Sequence, residues 1–354
     1  MARALIAMSG GVDSSVAALL MKDAGYECIG ATMKLFDSTF MDEKSSCVTD
    51  EDVNDARNIS HALGMEHFVF NFADHFEECV IRKFVSAYEN GMTPNPCIDC
   101  NRYLKFEKLF DAAKEMGCDV CITGHYAQVE YDENRGRWLL KKAADPKKDQ
   151  SYVLYSLNQE QLKMARFPLG GLEKSKVREI AEQNGFINAN KGDSQDICFV
   201  PDGDYAAFIE RYRGKTYPAG DFLSTDGKKL GTHRGIIRYT IGQRKGLYIS
   251  APEPYYVCKV DPDENTVVLG SESDLRSARL IAKGINLISV KDLYEPMRVK
   301  AKVRYRHTEQ WATVKQLDED TIEVVFDEPQ RAVTKGQSVV LYDGDIVVGG
   351  GIIA

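Results

Sequence analysis

The 354-residue sequence contains no apolar run long enough to cross a membrane and no segment with the composition of an export signal. A transmembrane helix needs about 20 predominantly apolar residues. Residues 1–8 form only a short apolar stretch that leads directly into glycines, without a cleavage site. We therefore expect a cytoplasmic protein that does not bind membranes. Internal repeats and low-complexity linkers are also missing, and the length predicts two or three domains.

Cysteine occurs in an odd number, nine residues, which argues against a framework of paired disulfides. In a chain without an export signal, free or catalytic thiols are expected instead. Cys97 and Cys100 have CxxC spacing within the stretch TPNPCIDCN, residues 93–101. Such spacing occurs in zinc sites, redox pairs, iron–sulfur sites and nucleophile loops, so by itself it leaves the chemistry open.

The net charge of −8 comes entirely from the first part of the chain. Residues 1–200 carry 23 Lys and Arg against 31 Asp and Glu, whereas residues 201–354 carry 22 of each. Residues 227–252 hold six cationic side chains and no acidic one, and residues 297–306 place Arg or Lys at every second position. Period two predicts a strand with one apolar and one basic face. A phosphate-binding surface and an ordinary solvated face both fit this pattern.

The hydrophobic pattern divides the chain into three segments. Residues 1–201 alternate short apolar runs with helix-like stretches, which predicts an α/β domain whose parallel sheet is covered on both faces. Residues 202–274 contain β-like segments broken by Gly and Pro, with little helical periodicity. Residues 275–354 predict further strands, and Asp343-Gly344 predicts a hairpin turn between the last two.

The stretch AMSGGVDSS, residues 7–15, follows the first predicted strand and opens the first predicted helix. Backbone N–H groups at such a junction point at one anion-binding spot. The two glycines allow close approach to phosphates, the serines supply hydroxyls, and Asp13 can hold Mg²⁺. The GxxxxGK[ST] motif is absent, so no lysine is aimed at a γ-phosphate. The stretch resembles the pyrophosphate-binding loop (PP-loop) of N-type ATP pyrophosphatases, which split ATP into AMP and pyrophosphate to adenylate a substrate.

A more specific resemblance extends over nearly the whole chain. Eight motifs occur in the order and at about the spacing seen in the tRNA-specific 2-thiouridylases, bacterial enzymes that place sulfur on C2 of the wobble uridine: SGGVDSS, TPNPCIDCN, TGHYA, KDQSYVLY, KGDSQDICFV, HRGIIRYTIGQRKGL, VRYR and KGQSVVLY. The resemblance implies an α/β fold with a parallel-sheet PP-loop ATP pyrophosphatase domain (1–201), a small mainly β central domain (202–274) and a C-terminal β-barrel that binds tRNA (275–354).

The resemblance also implies the reaction and its partners. ATP with Mg²⁺ adenylates C2 of the wobble uridine, and a cysteine persulfide then supplies sulfur to give 2-thiouridine, AMP and pyrophosphate. Cys198 corresponds to the thiol that receives the persulfide sulfur, and Cys100 to the nucleophile that later releases it by disulfide formation. The expected partners are tRNAs of the Lys, Glu and Gln type and a cysteine desulfurase or sulfur carrier that donates the persulfide.

The remaining site residues follow from the same matching of motifs. The resemblance implies that ATP is bound by Ala7, Met8, Ser9, Gly10, Gly11, Val12, Asp13, Ser14, Met33 and Gly124. The target base is expected against Asn95, Pro96 and Cys97. Contacts with tRNA are expected from His125, Lys148, Asp149, Gln150, Arg304, Tyr305 and Gln337.

One position departs from the family pattern. The commoner form of the motif is NPDxxCN, whose aspartate acts as general acid or base near the uridine, and this chain has Cys97 there. Asp99 lies two residues later and cannot be assumed to replace that aspartate. The same change opens an alternative, an iron–sulfur cluster held by Cys97, Cys100 and Cys198 that would carry out the same thiolation.

Two other functional classes fit parts of the sequence. An ATP pyrophosphatase acting on a small molecule would explain the PP-loop, but it would not need the basic residues 297–306 or two distant cysteines. A non-catalytic module that binds tRNA or an iron–sulfur cluster would not need SGGVDSS intact.

Overall fold

The computed structural model describes residues 1–36, 49–192 and 197–354. Part of the KGDSQDICFV motif, residues 193–196, therefore lies outside the described residues. The predicted α/β fold with a small central domain and a C-terminal β-barrel is confirmed. None of the helices in the described ranges is long and apolar enough to span a membrane.

The described residues of the N-terminal domain form seven strands, of which five form a parallel sheet and two form a hairpin. The strands are β1 (Arg3–Ala7), β2 (Glu27–Lys34), β3 (Glu66–Asn71), β4 (Val120–Ile122), β5 (Gln128–Asp132), β6 (Arg137–Lys141) and β7 (Ala165–Arg166). The parallel sheet has the order β3-β2-β1-β4-β7, and β5 pairs with β6 in an antiparallel hairpin. The apolar runs predicted as strands correspond to β1 to β4.

In the same described part of the domain there are nine α-helices, two of them continued by π-helical segments. The α-helices are α1 (Val12–Asp23), α2 (Asp50–Ala62), α3 (Ala73–Phe76), α4 (Arg82–Glu89), α5 (Pro96–Asp99), α6 (Leu109–Glu115), α7 (Ser151–Leu154), α8 (Gln159–Met164) and α9 (Lys174–Gln183). The π-helical segments Glu77–Ile81 and Cys100–Lys108 join α3 to α4 and α5 to α6. Segments of this kind are frequent near functional sites.

The central strand β1 shows why the sheet is covered on both faces. Leu5 is fully buried in one hydrophobic cluster, and its neighbours Ala4 and Ile6 are fully buried in another. Because successive side chains of a strand point to opposite faces, a strand buried on both faces must be apolar throughout. The continuous run Ala4–Ala7 therefore fixes β1 at the centre of the domain.

The central domain is mainly β but contains a helix that the sequence pattern did not predict. Its four strands are β8 (Gly220–Ser224), β9 (Lys229–His233), β10 (Tyr256–Asp261) and β11 (Thr266–Gly270). Residues predicted as β-like instead form α10 (Tyr205–Arg213), with the Asp204 side chain capping its start and Gly214 in the left-handed conformation at its end. That prediction was wrong because the cap signals outweigh the aromatic residues of α10.

The C-terminal domain is a six-stranded barrel. Its strands are β12 (Arg276–Leu287), β13 (Met297–Lys302), β14 (Gln310–Gln316), β15 (Thr321–Arg331), β16 (Ser338–Asp343) and β17 (Ile346–Ile353). They follow the order β12-β15-β14-β13-β16-β17, and β12 pairs with β17 to close the barrel. The predicted hairpin at Asp343-Gly344 is confirmed, with Gly344 at a φ of 59°.

The basic strand is shorter than the alternation of residues predicts. β13 ends at Lys302, and the chain then turns. Val299 and Ala301 face the barrel interior as expected, since both are buried. Arg304 lies beyond the strand, and its guanidinium donates a hydrogen bond to the carbonyl oxygen of Ala332. The five cations therefore do not form one continuous exposed row.

Hydrogen bonds fasten the barrel to the N-terminal domain. The Asn286 amide donates to the carbonyl oxygens of Tyr155, at 2.7 Å, and Leu157, at 2.8 Å. The Tyr152 hydroxyl donates to the carbonyl oxygen of Ser338 at 2.8 Å, and the Tyr155 hydroxyl lies 3.0 Å from the Ser338 hydroxyl. These bonds are largely shielded from water, so they favour one position of the barrel on the N-terminal domain.

We predict that Asn286→Ala lowers the free energy of unfolding by about 1 to 3 kcal/mol, because two carbonyl oxygens lose their donor. Tyr155→Phe removes one hydroxyl contact and should cost about 1 kcal/mol. Urea denaturation followed by circular dichroism measures both. An Asn286→Ala protein as stable as the parent would mean that these bonds do not hold the barrel.

Candidate active site

The candidate nucleotide site lies at the carboxyl ends of three neighbouring parallel strands. β1 pairs with β2 on one side and with β4 on the other, so the chain reverses direction across the sheet at β1. Ligands of open α/β sheets bind in the crevice at such a switch point. The PP-loop follows β1, Met33 lies near the end of β2 and Gly124 follows β4. The fold thus brings together the residues predicted to bind ATP.

At one position of the PP-loop, Gly10, the backbone conformation and the lack of space both require glycine. Gly10 has a φ of +73°, and a Cβ atom there would lie 2.4 Å from the carbonyl oxygen of Asp52. Within the loop, the Ser14 hydroxyl donates to the carbonyl oxygen of Gly11 at 2.9 Å and accepts from the Ser9 N–H at 3.2 Å. The loop is therefore shaped before any phosphate arrives.

Asp13 forms an ion pair with Lys174 and a hydrogen bond with Tyr126, neither of which the sequence pattern predicted. The Lys174 ammonium lies 2.7 and 2.8 Å from its two carboxylate oxygens, and the Tyr126 hydroxyl donates to it at 2.7 Å. Lys174 is only 8% exposed. Although the chain lacks the P-loop lysine, it places another lysine beside the loop. No local pattern marks Lys174, which opens the ordinary amphipathic helix α9.

A second set of contacts ties the stretch before Cys198 to the PP-loop. The Asn188 amide donates to the carbonyl oxygen of Gly10 and to the Ser15 hydroxyl, both at 2.9 Å. The Lys191 ammonium lies 2.7 Å from Asp52 and 2.8 Å from a carboxylate oxygen of Asp55. The segment around Asn188 and Lys191, which precedes Cys198, is therefore bonded to the PP-loop and to helix α2.

Gly124 packs directly against the PP-loop. A Cβ atom at Gly124 would lie 3.0 Å from the backbone of Asp13 and Ser14. Met33 is half-buried and packs against the apolar clusters on either side. Gly124 therefore allows β4 to approach the loop closely, while Met33 forms part of an apolar wall.

The CxxC pair lies on a helix and not in the turn that its composition suggested. The Asn95 side chain accepts from the Cys97 N–H at 3.2 Å and caps α5, and Pro96 occupies the first helical position. Cys97 and Cys100 are three residues apart on this helix and share a face. Asp99 is rotated by about 200° from Cys97. It therefore does not take the place of the aspartate in the commoner motif.

Cys100 and Cys198 pack against the same hydrophobic cluster, although they are far apart in sequence. The anchor next to Cys198 is Phe199, whose ring lies 5.8 Å from Phe76 and 5.1 Å from Phe84. Cys100 carries a free thiol, whereas Cys198 is disulfide-bonded. The predicted disulfide between Cys100 and Cys198 is therefore not formed in this state.

Lys105 is the cation that acts on both thiols of the CxxC pair. Burial raises the pKa of Cys100 to about 11, and the Lys105 charge opposes this rise. Cys97 is exposed, yet surrounding protein still desolvates its thiol and raises its pKa, again against Lys105. Burial raises the pKa of Asp99 to about 6, against the charges of Lys83 and Arg102. Both cysteines are thus mainly protonated at neutral pH.

The barrel and the central domain both form hydrogen bonds with the segment of the N-terminal domain just before the CxxC helix. The Gln337 amide, from the barrel, donates to the carbonyl oxygens of Thr93 at 2.8 Å and Pro94 at 3.2 Å. The Thr93 hydroxyl donates to the Thr240 hydroxyl of the central domain at 3.3 Å. Gln337 was predicted to contact tRNA, and the structure places its amide on this loop.

Several residues predicted to contact tRNA lie close together. Gln150 and Tyr126, next to His125, exchange hydrogen bonds at 2.8 and 2.9 Å. The Tyr305 hydroxyl donates to the carbonyl oxygen of Asp149 at 3.2 Å, and Lys148 precedes Asp149. Burial raises the pKa of Tyr305, with Asp149 and Cys97 adding to the rise, so Tyr305 also lies within electrostatic reach of Cys97.

His125 is more enclosed than a surface contact would be. Its ring lies 5.7 Å from Phe106 and 5.9 Å from Phe167, and its Nδ1 lies 2.7 Å from the Thr123 hydroxyl. Burial lowers the pKa of His125 well below its usual range, and Lys105 adds to this effect. The imidazole is therefore neutral at physiological pH.

The basic strand of the barrel presents cations around an exposed indole. Trp311 on β14 lies opposite Lys300 on β13. The Lys300 ammonium and the Arg298 guanidinium lie 5.3 and 5.4 Å from the Trp311 ring centroid. Arg298 also forms two 2.8 Å hydrogen bonds with Asp327. Lys300 is thus the cation of this group that no described carboxylate neutralises.

The described side chains do not assemble the metal site considered from the sequence. Within residues 1–36, 49–192 and 197–354, no three His, Cys, Asp or Glu side chains are grouped to hold a metal ion. The third proposed cluster ligand, Cys198, has its sulfur in a disulfide.

Protein-family models match the chain in three consecutive parts. The tRNA methyl transferase HUP domain matches residues 2–202, the tRNA methyl transferase PRC-barrel domain matches residues 206–271, and the aminomethyltransferase β-barrel domain matches residues 277–353.

Two relatives are similar over their full length. The tRNA-specific 2-thiouridylase MnmA of Clostridioides difficile (strain 630) is 51% identical over 352 residues, which cover 99% of this chain and 98% of the relative. The MnmA of Acetivibrio thermocellus is 51% identical over 354 residues, which cover 99% of each chain. Since both similarities extend across all three domains, the chain belongs to the tRNA-specific 2-thiouridylase family.

Proposed function

We propose that the protein is a tRNA sulfurtransferase that converts the wobble uridine of tRNA into 2-thiouridine. It adenylates the C2 oxygen with ATP and then replaces AMP with sulfur carried on Cys198. The observation that carries this proposal is the loop before the CxxC helix. Its backbone accepts a hydrogen bond from the barrel, its Thr93 hydroxyl donates one to the central domain, and its helix packs on the cluster that also contacts Cys198.

The PP-loop supports the adenylation step. Its backbone N–H groups and the start of α1 bind the phosphates of ATP, and the pair of Asp13 and Lys174 sets the charge beside them. A carboxylate has about four lone-pair sites, so Asp13 retains one for Mg²⁺ beside the three hydrogen bonds that it accepts from Lys174 and Tyr126. The ion would neutralise charge on the phosphates. Lys174 is placed to take over part of that charge as pyrophosphate leaves.

The two thiols support the sulfur step. The Cys198 persulfide attacks C2 through its terminal sulfur and expels AMP, which leaves the base joined to Cys198 through a disulfide. The Cys100 thiolate then attacks the Cys198 sulfur, so that 2-thiouridine leaves and the disulfide between Cys100 and Cys198 forms. An external thiol reduces this disulfide. The donor of the persulfide is a cysteine desulfurase or a sulfur carrier.

The persulfide route needs fewer groups than the cluster route. It requires the sulfur atoms of two cysteines to meet, and Cys100 and Cys198 pack against one cluster. A cluster requires three ligands around one metal centre, and the described side chains do not supply such a group. We therefore assign Cys97 as a neighbour that raises the pKa of Cys100.

We predict that Asp13→Ala abolishes tRNA-dependent pyrophosphate release but leaves tRNA affinity within a few-fold. The substitution removes the metal ligand and leaves Lys174 without this carboxylate, which costs about 3 to 5 kcal/mol for a buried pair. The matched control is therefore the double variant Asp13→Asn with Lys174→Met, which avoids the unbalanced charge. If tRNA binding collapsed in this folded control, the PP-loop would not be confined to nucleotide use.

We predict that Cys198→Ser releases pyrophosphate with ATP and tRNA but forms no 2-thiouridine. Cys100→Ser should stop one step later, with tRNA joined to Cys198 through a bond that dithiothreitol cleaves. Non-reducing gel electrophoresis with labelled tRNA separates the two variants. Thiolation by Cys198→Ser at the parent rate would remove Cys198 from the mechanism.

We predict that Lys105→Met slows alkylation of Cys97 and Cys100 by iodoacetamide several-fold at pH 8. With a pKa of about 11, only about one Cys100 in a thousand is a thiolate at that pH. Loss of the Lys105 charge raises the pKa further. In the parent the rate should rise about tenfold per pH unit up to that pKa. Lys108→Met, at the end of the same helical segment, is the control, and equal rates in both variants would contradict this role of Lys105.

A further inference from the structure

One cavity of the described residues lies in the central domain, and no residue of the PP-loop or of the CxxC helix lines it. It has a volume of about 600 Å³, and a second cavity of about 220 Å³ adjoins it. Arg234, Tyr239 and Tyr248 line both cavities. Nothing in the adenylation or sulfur-transfer steps uses this surface.

Tyr248 lines both cavities and has an unusual backbone conformation. Its φ is +55°, in the left-handed region that bulky residues rarely adopt. The residue is 81% exposed, so burial of the ring does not offset the backbone strain. The Arg234 guanidinium lies 4.7 Å from the ring centroid. An exposed aromatic ring beside a guanidinium is suited to stack on a flat π-system.

The charge around this ring favours an anionic ligand. Residues 227–252 contain six cations and no acidic residue. Two of the six are neutralised from outside the segment, Arg238 by Glu210 and Lys229 by Asp221. Arg234, Arg244 and Lys245 are exposed, and none of them forms an ion pair with a described carboxylate.

The position of the loop favours RNA over other anionic ligands. Thr240, at one end of the stretch that leads to Tyr248, accepts a hydrogen bond from Thr93, next to the loop that faces the target base. Eight residues of chain span at most about 28 Å, so Tyr248 lies within this distance of Thr240, which is bonded to Thr93. An RNA that enters the active site can therefore continue across the central domain.

Resting on the proposed function, we infer that Arg234 and Tyr248 form a clamp for one unstacked nucleobase of the tRNA. Tyr248 stacks on the base, while Arg234, Arg244 and Lys245 bind the adjoining phosphates. The strained left-handed backbone at Tyr248, where glycine would be less strained, accompanies a ring that is exposed to solvent and open to stacking.

The test is the substitution Tyr248→Gly, because a structural role and a binding role predict different results. Glycine adopts the left-handed conformation without strain, so the variant should be at least as thermostable as the parent. Its affinity for tRNA should nevertheless fall about 5- to 150-fold, the range for loss of one base–aromatic stack. Tyr248→Phe should retain the parent affinity. Tyr131→Ala, at a 50% exposed tyrosine of the N-terminal domain, is the control and should bind as the parent does.

The salt dependence separates stacking from phosphate contact. Arg234→Gln should reduce the slope of log affinity against log salt by about one, whereas Tyr248→Gly should leave this slope unchanged. If the parent releases pyrophosphate with tRNA but Tyr248→Gly binds tRNA as tightly as the parent, the clamp is wrong and the proposed function stands. If the parent neither binds nor adenylates tRNA, the proposed function itself fails.

Discussion

The hydrogen bonds on Thr93 and Pro94 are the constraint on which the arrangement of the active site depends. Gln337 of the barrel donates to both carbonyl oxygens, and the Thr93 hydroxyl donates to Thr240 of the central domain, just before the Asn95 cap. The cap sets the direction of the helix that carries Cys97 and Cys100. The helix direction therefore depends on all three domains at once. Since the barrel is also fastened through Asn286, a shift of the barrel would move the thiols.

Charge is distributed unevenly over the three domains. The N-terminal domain carries the acidic excess, yet at the PP-loop Lys174 and Lys191 are placed against the carboxylates of Asp13 and Asp52. On the other two domains, cations that form no ion pair with a described carboxylate lie at Lys300 on the barrel and around Arg234 on the central domain. A polyanion is thus attracted toward the outer domains while the nucleotide loop keeps its own balanced charges.

The sequence predicts most of the fold because its signals are local. Apolar runs mark β1 to β4, and the glycine and aspartate turn marks the last hairpin. Helix α10 was missed because its evidence lies in the cap residues Asp204 and Gly214, outside the aromatic run itself. The CxxC pair looked like part of a turn for the converse reason, since Asn95 and Pro96 begin a helix.

Residues of the candidate site can be predicted only where a motif carries them. SGGVDSS predicts the nucleotide loop, and the two thiol motifs predict Cys100 and Cys198 as the reacting cysteines. Lys174 and Lys105 could not be predicted, because each is an ordinary lysine on an amphipathic segment. Their importance comes from what the fold places beside them, Asp13 in one case and the CxxC thiols in the other. Likewise, Gln337 meets Thr93 only through the closure of the barrel.

In the proposed function, the nucleotide loop and the two cysteines act in turn on one atom, C2 of the wobble uridine. This can be tested with tRNA whose wobble uridine carries ¹⁸O at C2, incubated with ATP and a persulfide donor. Mass spectrometry of the products should find 2-thiouridine at that position and the ¹⁸O in the phosphate of AMP. Thiolation that leaves AMP unlabelled, or labelled AMP without thiolated tRNA, would contradict it.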